Sequence, residues 1–150
     1  MNKKNITRIL IVLIVAGAAV FAVRHFTTPK VEEGAKTVEV RIEVEKESGG
    51  TELIDSFYLT TSAETVAELL ETIDAAGMHK ITLSGSKDDV YGRTLIGIDD
   101  YVMPDWTSGP WWLYNSETNE TCVAAGYCDG IDLNPIYDGD VFIFSFTSTY

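Results

Sequence analysis

The first 26 residues differ so strongly from the rest of the chain that we expect two separately organised parts. Residues 9–23 form an uncharged apolar run, ILIVLIVAGAAVFAV, which follows Lys3, Lys4 and Arg8. A basic flank before an apolar run is typical of a signal sequence or signal anchor whose basic end stays in the cytoplasm. The pattern predicts an N-terminal signal anchor over residues 1–26, a linker over residues 27–36 and one domain over residues 37–150.

Two outcomes for the apolar run stay open. Its 15 residues are fewer than the roughly 20 that a membrane-spanning helix needs, but Ile6 and Phe26 can extend the apolar length. We expect an uncleaved anchor, which makes a single-pass protein of the cell membrane with an extracytoplasmic C-terminal domain. The alternative is secretion after signal cleavage beside the small residues of the run, such as Ala18 or Ala22.

The net charge is divided between the two parts. Residues 31–150 carry all 23 acidic side chains and only 6 basic ones, which gives a net charge of −17 for this part. Such a surface repels phosphate backbones, so we expect no nucleic acid partner. It also repels an anionic bilayer surface, which suits a domain that stands off the cytoplasmic membrane to which the N-terminal segment holds it.

The domain opens with a β-hairpin and a helix. Val38, Val40 and the following apolar residues alternate with charged ones, which predicts a strand, and a Gly49-Gly50 turn leads to a second strand over residues 53–60. Apolar residues then recur with helical spacing: Val66, Leu69, Leu70 and Ile73. Thr61 and Glu64 have capping-box spacing, and Gly77 fits the C-terminal cap.

Short strands are predicted after the helix, over residues 81–84, 91–98, 111–114 and 141–146. The last is apolar on both faces and should be an inner strand. The fold class is therefore α+β, with one helix packed on a mixed or antiparallel sheet to which short strands are added.

Several of these pieces together resemble the transcobalamin-like C-terminal domain family over residues 37–150. They are Thr65-Val66-Ala67-Glu68-Leu69-Leu70, Trp111-Trp112-Leu113-Tyr114, Gly130-Ile131-Asp132, Pro135-Ile136 and Asp138-Gly139-Asp140. The resemblance implies a β-grasp-like small domain, with cobalamin as the candidate ligand, and a core position for Trp111. Relatives have a tight turn after the aromatic strand, whereas this chain has a longer segment over residues 115–128.

The two cysteines lie in that longer segment. Cys122 and Cys128 are close in sequence, and a disulfide between them suits an oxidising compartment. Two separate buried thiols are the alternative. We predict no metal site, because a zinc site would need about four ligands and the acidic groups match no EF-hand loop.

Aromatic residues supply the candidate binding surface. Neighbouring residues of a strand point to opposite faces, so with Trp111 in the core, Trp112 and Tyr114 share the other face. The candidate ligand-binding residues are Trp106, Trp112, Tyr114 and Tyr127. Ordinary packing is the competing interpretation of this cluster.

No motif of an enzyme active site is present, so we predict a non-enzyme. The leading hypothesis is an extracytoplasmic, membrane-tethered domain that binds a small molecule, with a corrinoid or similar cofactor-sized ligand linked to uptake as the candidate. The alternative is a non-catalytic structural or protein-interaction module of the cell envelope, whose partner is an envelope or transport protein.

Overall fold

The computed structural model describes residues 14–19 and 33–149, and the chain divides into two units, residues 1–30 and 31–150. Residues 14–19 are helical and are named α1. Within the described ranges, no helix has both the length and the apolar character needed to cross a membrane. Most of the predicted signal anchor and of the predicted linker lies outside the described residues.

The second unit is a mixed α+β domain, as the coarse fold class predicted. Its strands form a four-stranded sheet with the order β2-β1-β7-β6 and a three-stranded sheet with the order β3-β4-β5. The elements are β1 (Lys36–Glu45), β2 (Thr51–Thr61), α2 (Val66–Ala75), β3 (Ile81–Ser84), β4 (Thr94–Ile98), β5 (Tyr101–Val102), β6 (Trp111–Asn115), α3 (Glu120–Ala125) and β7 (Val141–Thr147).

The larger sheet is built on its first and last strands. β1 is antiparallel to β2 and parallel to β7, and β7 is antiparallel to β6. The prediction that the last strand is an inner one is therefore confirmed. Its Phe142 and Phe144 are fully buried beside Val40 and Ile42 of β1, so the alternating apolar residues of both strands form one core face.

Helix α2 covers this core with its apolar stripe, and its ends differ from the prediction in one respect. Its N-cap is Thr65, whose side chain accepts a hydrogen bond from the Glu68 backbone N–H at 3.3 Å. The predicted cap at Thr61 and Glu64 is therefore wrong, and the helix begins one turn later. Gly77 has φ +67° directly after the C-cap and closes the helix end, as predicted.

The structure differs from the prediction in two segments, residues 91–98 and residues 115–128. The strand predicted over residues 91–98 begins only at Thr94, because Gly92 adopts φ +70° and ends a turn. The segment over residues 115–128 contains α3, which begins after Asn119, a buried residue whose side chain accepts a hydrogen bond from the Cys122 backbone N–H. A six-residue helix is too short for a clear apolar period.

The faces of β6 are reversed relative to the prediction. Trp112 is 6% exposed and lies 5.1 Å, ring to ring, from Phe146, whereas Trp111 is only partly buried. The assignment of Trp111 to the core and Trp112 to the outer face is therefore wrong. The alternation itself holds, but the register pairs Trp112 with Phe146 and Tyr114 with Phe144, which places both on the core side.

These packing positions predict different costs for the two tryptophans. Trp112→Ala should lower the free energy of unfolding by about 3–5 kcal/mol, the usual cost of emptying a large aromatic core site. Trp111→Ala should cost roughly 1 kcal/mol, since its ring keeps solvent contact. Urea denaturation of both variants measures this, and equal losses would contradict the assignment of faces.

Candidate functional site

A cleft of about 600 Å³ opens where β6 faces the start of β4. Four consecutive residues, 112–115, form one wall, and Thr94 and Leu95 belong to the opposite wall. Residues 126–131, which follow α3, line the cleft as well, together with Tyr91 and Arg93. The site therefore combines a strand of each sheet with the loop that contains the cysteine pair.

Both walls of the cleft are strand edges. β6 is the last strand of its sheet and pairs only with β7. β4 pairs with β5 only through Gly97 and Ile98, so Thr94 and Leu95 have β3 on one side alone. Within residues 33–149, no strand covers the cleft side of either segment, and such edges present backbone donors and acceptors.

Tyr114 connects the β6 wall to the loop that follows α3. Its hydroxyl donates a hydrogen bond to the carbonyl oxygen of Asp129, and its ring stacks on Phe144 at 5.8 Å. Burial raises the pKa of Tyr114, and the charge of Asp129 raises it further. The hydroxyl therefore stays protonated and keeps its role as a donor.

The predicted disulfide between Cys122 and Cys128 is confirmed, with Cα atoms 4.3 Å apart. Cys122 is buried within α3, while Cys128 lines the cleft. Asn119, at the start of α3, donates through its amide to Asp140 at 2.6 Å. The disulfide thus attaches the loop that contains Tyr127 and Asp129 to a helix that is itself fixed to the core.

A partly buried ion pair holds the remaining side of the cleft in place. The Arg93 guanidinium donates to both carboxylate oxygens of Asp132, at 3.0 Å from Nε and 2.7 Å from Nη2, and its Nη1 donates to Glu71 of α2. The side chains of Arg93 and Asp132 are 12% and 9% exposed. We call Arg93, Asp132 and Glu71 the Arg93 latch, because they join α2, the start of β4 and the segment after Cys128.

The latch keeps both of its main partners charged. Hydrogen bonds from Arg93 lower the pKa of Asp132 and outweigh burial, which raises it. The same hydrogen bonds raise the pKa of Arg93 above its ordinary value. Gly92 permits this close approach, since a Cβ at that position would lie 2.7 Å from Cβ of Asp132.

Three of the four residues proposed from the sequence line this cleft: Trp112, Tyr114 and Tyr127. Trp112 does so from the core side rather than from an exposed face. Tyr127 stands at the rim and is 68% exposed. Trp106 is not among the lining residues; it is 60% exposed, and its carbonyl oxygen accepts a hydrogen bond from the Trp111 indole at 3.2 Å.

Apart from Cys128, the remaining lining residues were not predicted as site residues, above all Arg93. Its partner Asp132 is 39 positions away, and no local pattern signals such a pair. Gly130 carries part of the family resemblance, and a Cβ at that position would lie 2.6 Å from the Tyr91 carbonyl oxygen. A glycine often marks a point where another segment of backbone approaches closely, so Gly130 was the one sequence signal that could have indicated this side of the cleft.

No group of three or more His, Cys, Asp or Glu side chains that could hold a metal ion occurs in the described part of the chain. The acids near the cleft have other partners. Asp132 belongs to the Arg93 latch, and a carboxylate oxygen of Asp129 accepts a hydrogen bond from the Gly130 N–H at 2.9 Å.

No family model matches the chain, and no curated protein matches it. A solved structure described as a "putative metal binding protein" from Ruminococcus gnavus ATCC 29149 is similar in fold, with a TM-score of 0.50. The two sequences are 17% identical, and the match covers 77% of this chain and 99% of that one. At this identity the likeness concerns the fold alone.

The Arg93 latch should contribute pH-dependent stability. The folded pKa of Asp132 is lowered, so its contribution is present above the unfolded value, about 3.9, and is lost as the pH falls through the folded value. Asp132→Asn should cost about 2 kcal/mol at pH 7, less than the roughly 3–5 kcal/mol typical of a fully buried pair, since this pair is partly buried and Arg93 keeps Glu71 as a partner. Chemical denaturation should show this cost shrinking between pH 5 and pH 2.

Asp88→Asn is the matched control, because Asp88 is exposed and its side chain makes none of the latch contacts. It should leave the stability nearly unchanged at either pH. An equal loss in both variants, or a loss in Asp132→Asn that does not depend on pH, would contradict the role of the latch.

Proposed function

We propose that the domain is a non-catalytic binding module that holds a cofactor-sized, planar small molecule in the cleft between β6 and β4. The observation that supports this most strongly is a concave site with Trp112 and Tyr114 on one wall and uncovered strand edges on both. Its volume of about 600 Å³ falls within the range of roughly 300–1,000 Å³ that small-molecule pockets occupy.

The cleft is held in shape before any ligand arrives. The disulfide, the hydrogen bond from Tyr114 to Asp129 and the Arg93 latch each attach a lining segment to the core. A preorganised site loses less conformational entropy on binding. These three attachments support a binding role for the cleft.

A corrinoid is the candidate ligand that the transcobalamin-like resemblance supplies. The sheet order β2-β1-β7-β6, with α2 on the core face, supports the β-grasp-like expectation attached to that resemblance. An open cleft lined by aromatic side chains and strand edges suits contact with one face or rim of a large ring. Capture of such a ligand for uptake is the role that we propose.

One observation favours the alternative of a protein-interaction module of the cell envelope. Among the described strands, the 11-residue β2 forms the outer edge of the larger sheet, and its Tyr58 is 72% exposed, with Leu53 and Ile54 also exposed. A long uncovered edge strand with apolar side chains is a template for pairing with another chain. An envelope or transport protein is the partner that this alternative names.

For location, we propose an anchor in the cytoplasmic membrane with the domain outside. The disulfide supports this, because disulfides persist in oxidising compartments. Protease added to intact cells should remove the domain. Protection until the membrane is broken would contradict the placement.

Binding is tested with the full-length protein titrated with cyanocobalamin and with riboflavin. Tyr127 stands at the cleft rim, and Tyr58 is an equally exposed tyrosine on the opposite edge of the sheet. Tyr127→Ala should weaken binding about tenfold, which corresponds to about 1.4 kcal/mol, without lowering the melting temperature.

Tyr58→Ala is the control and should bind as tightly as the unmodified protein. Equal weakening in both variants would contradict binding in the cleft. Binding of neither ligand would contradict the proposed function for cofactor-sized planar ligands.

A further inference from the structure

The charged groups in and beside the cleft are more acidic than basic. Among the described residues that line it, Arg93 is the only Lys or Arg, and two carboxylates of the latch already bind its guanidinium. Asp129 adds a further acid to the lining. The latch thus carries one more negative than positive charge, and the guanidinium that lines the cleft is already engaged by its two carboxylates.

We propose that the cleft accepts uncharged or cationic ligands and discriminates against phosphorylated or carboxylated ones. This inference rests on the proposed function, and it adds the charge class of the ligand. An anion that enters the cleft would meet Asp129 on the lining. Arg93, which also lines the cleft, is already bound by the two latch acids that lie behind it, so the anion would gain no free basic side chain from the described lining. Partly buried charges are screened less than exposed ones, so the repulsion persists at physiological salt.

The N-terminus of α2 offers an anion no free donors either. A helix N-terminus binds phosphate through its free backbone N–H groups. In α2, the N–H groups of Val66 and Ala67 donate to the carbonyl oxygens of Asn134 and Ile131, and that of Glu68 donates to the Thr65 side chain. The first-turn donors of this helix are therefore already used within the protein.

Charges farther from the cleft reinforce the same preference. The opposing charge nearby is Lys87, whose Nζ lies 3.7 Å from Glu71, but its side chain is 55% exposed, so solvent and salt screen it more than they screen Asp132. Residues 31–150 carry a net charge of −17. The long-range field therefore disfavours the approach of anions and favours that of cations.

The inference is tested with pairs of molecules that share a ring system and differ in charge. The pairs are riboflavin with its phosphate ester, and cyanocobalamin with a monocarboxylate derivative in which one side-chain amide is hydrolysed. Isothermal titration of the full-length protein gives the affinity of each member. The uncharged member of each pair should bind at least tenfold more tightly than the anionic member at low salt. This ratio of affinities should be smaller in 0.5 M salt.

Variants of the Arg93 latch test whether its acidic residues cause the preference for uncharged ligands. Glu71→Gln and Asp132→Asn each remove one negative charge beside Arg93. Each should therefore lower the ratio of affinities between the uncharged and the anionic member of a pair by about threefold. Glu52→Gln is the control, because it removes an exposed acid from β2, on the opposite edge of the sheet. Melting curves identify any variant that fails to fold. If Asp132→Asn does not fold, Glu71→Gln still tests the inference, because Glu71 is about half-exposed and its substitution should be tolerated.

The results separate the two proposals. If the anionic members bind as tightly as the uncharged ones, or if Glu52→Gln lowers the ratio of affinities as much as Glu71→Gln does, the charge preference is overturned and the binding function stands. If no member of either pair binds, the proposed function is overturned and the charge preference with it.

Discussion

The parallel pairing of β1 with β7 is the interaction on which the remaining structure depends. It joins the first strand of the domain to the last, with Val40 beside Phe142 and Ile42 beside Phe144. This pairing makes β7 an inner strand and gives β6 its place at the sheet edge. The cleft lies along that edge, so the candidate site exists only when both ends of the domain have come together.

The cleft itself is maintained by polar and covalent contacts added to this core. The Arg93 latch connects the start of β4 to α2 and to Asp132, and the disulfide connects the loop after α3 to the helix before it. The latch also supports the charge preference proposed for the site. An arginine that is committed to internal carboxylates stabilises the fold and leaves the cleft without a free cation from its lining.

The sequence predicted the parts of the fold that depend on local periodicity. The alternation in β1, the apolar stripe of α2 and the largely apolar sequence of β7 each follow from burial of one or both faces, and the structure agrees. The faces of β6 could not be derived in this way, since Trp111 and Trp112 are equally apolar and only the register with β7 decides between them.

The candidate site was predictable only in part, for a similar reason. Aromatic clustering pointed to Trp112, Tyr114 and Tyr127, and the spacing of the cysteines pointed to the disulfide. The contact between Arg93 and Asp132 depends on tertiary structure, because it joins segments that have no shared pattern. The capping error at Thr61 arose because Thr65 and Glu68 have the same capping-box spacing only four residues later.

The central claim is that a ligand occupies the cleft between two uncovered strand edges. Backbone hydrogen exchange, measured with and without saturating cyanocobalamin or riboflavin, tests it most directly. We predict that a bound ligand slows exchange at residues 94–95 and 112–115, while residues 51–61 of β2 exchange as before. Slower exchange on β2 alone, with no change at the two cleft strands, would contradict the account.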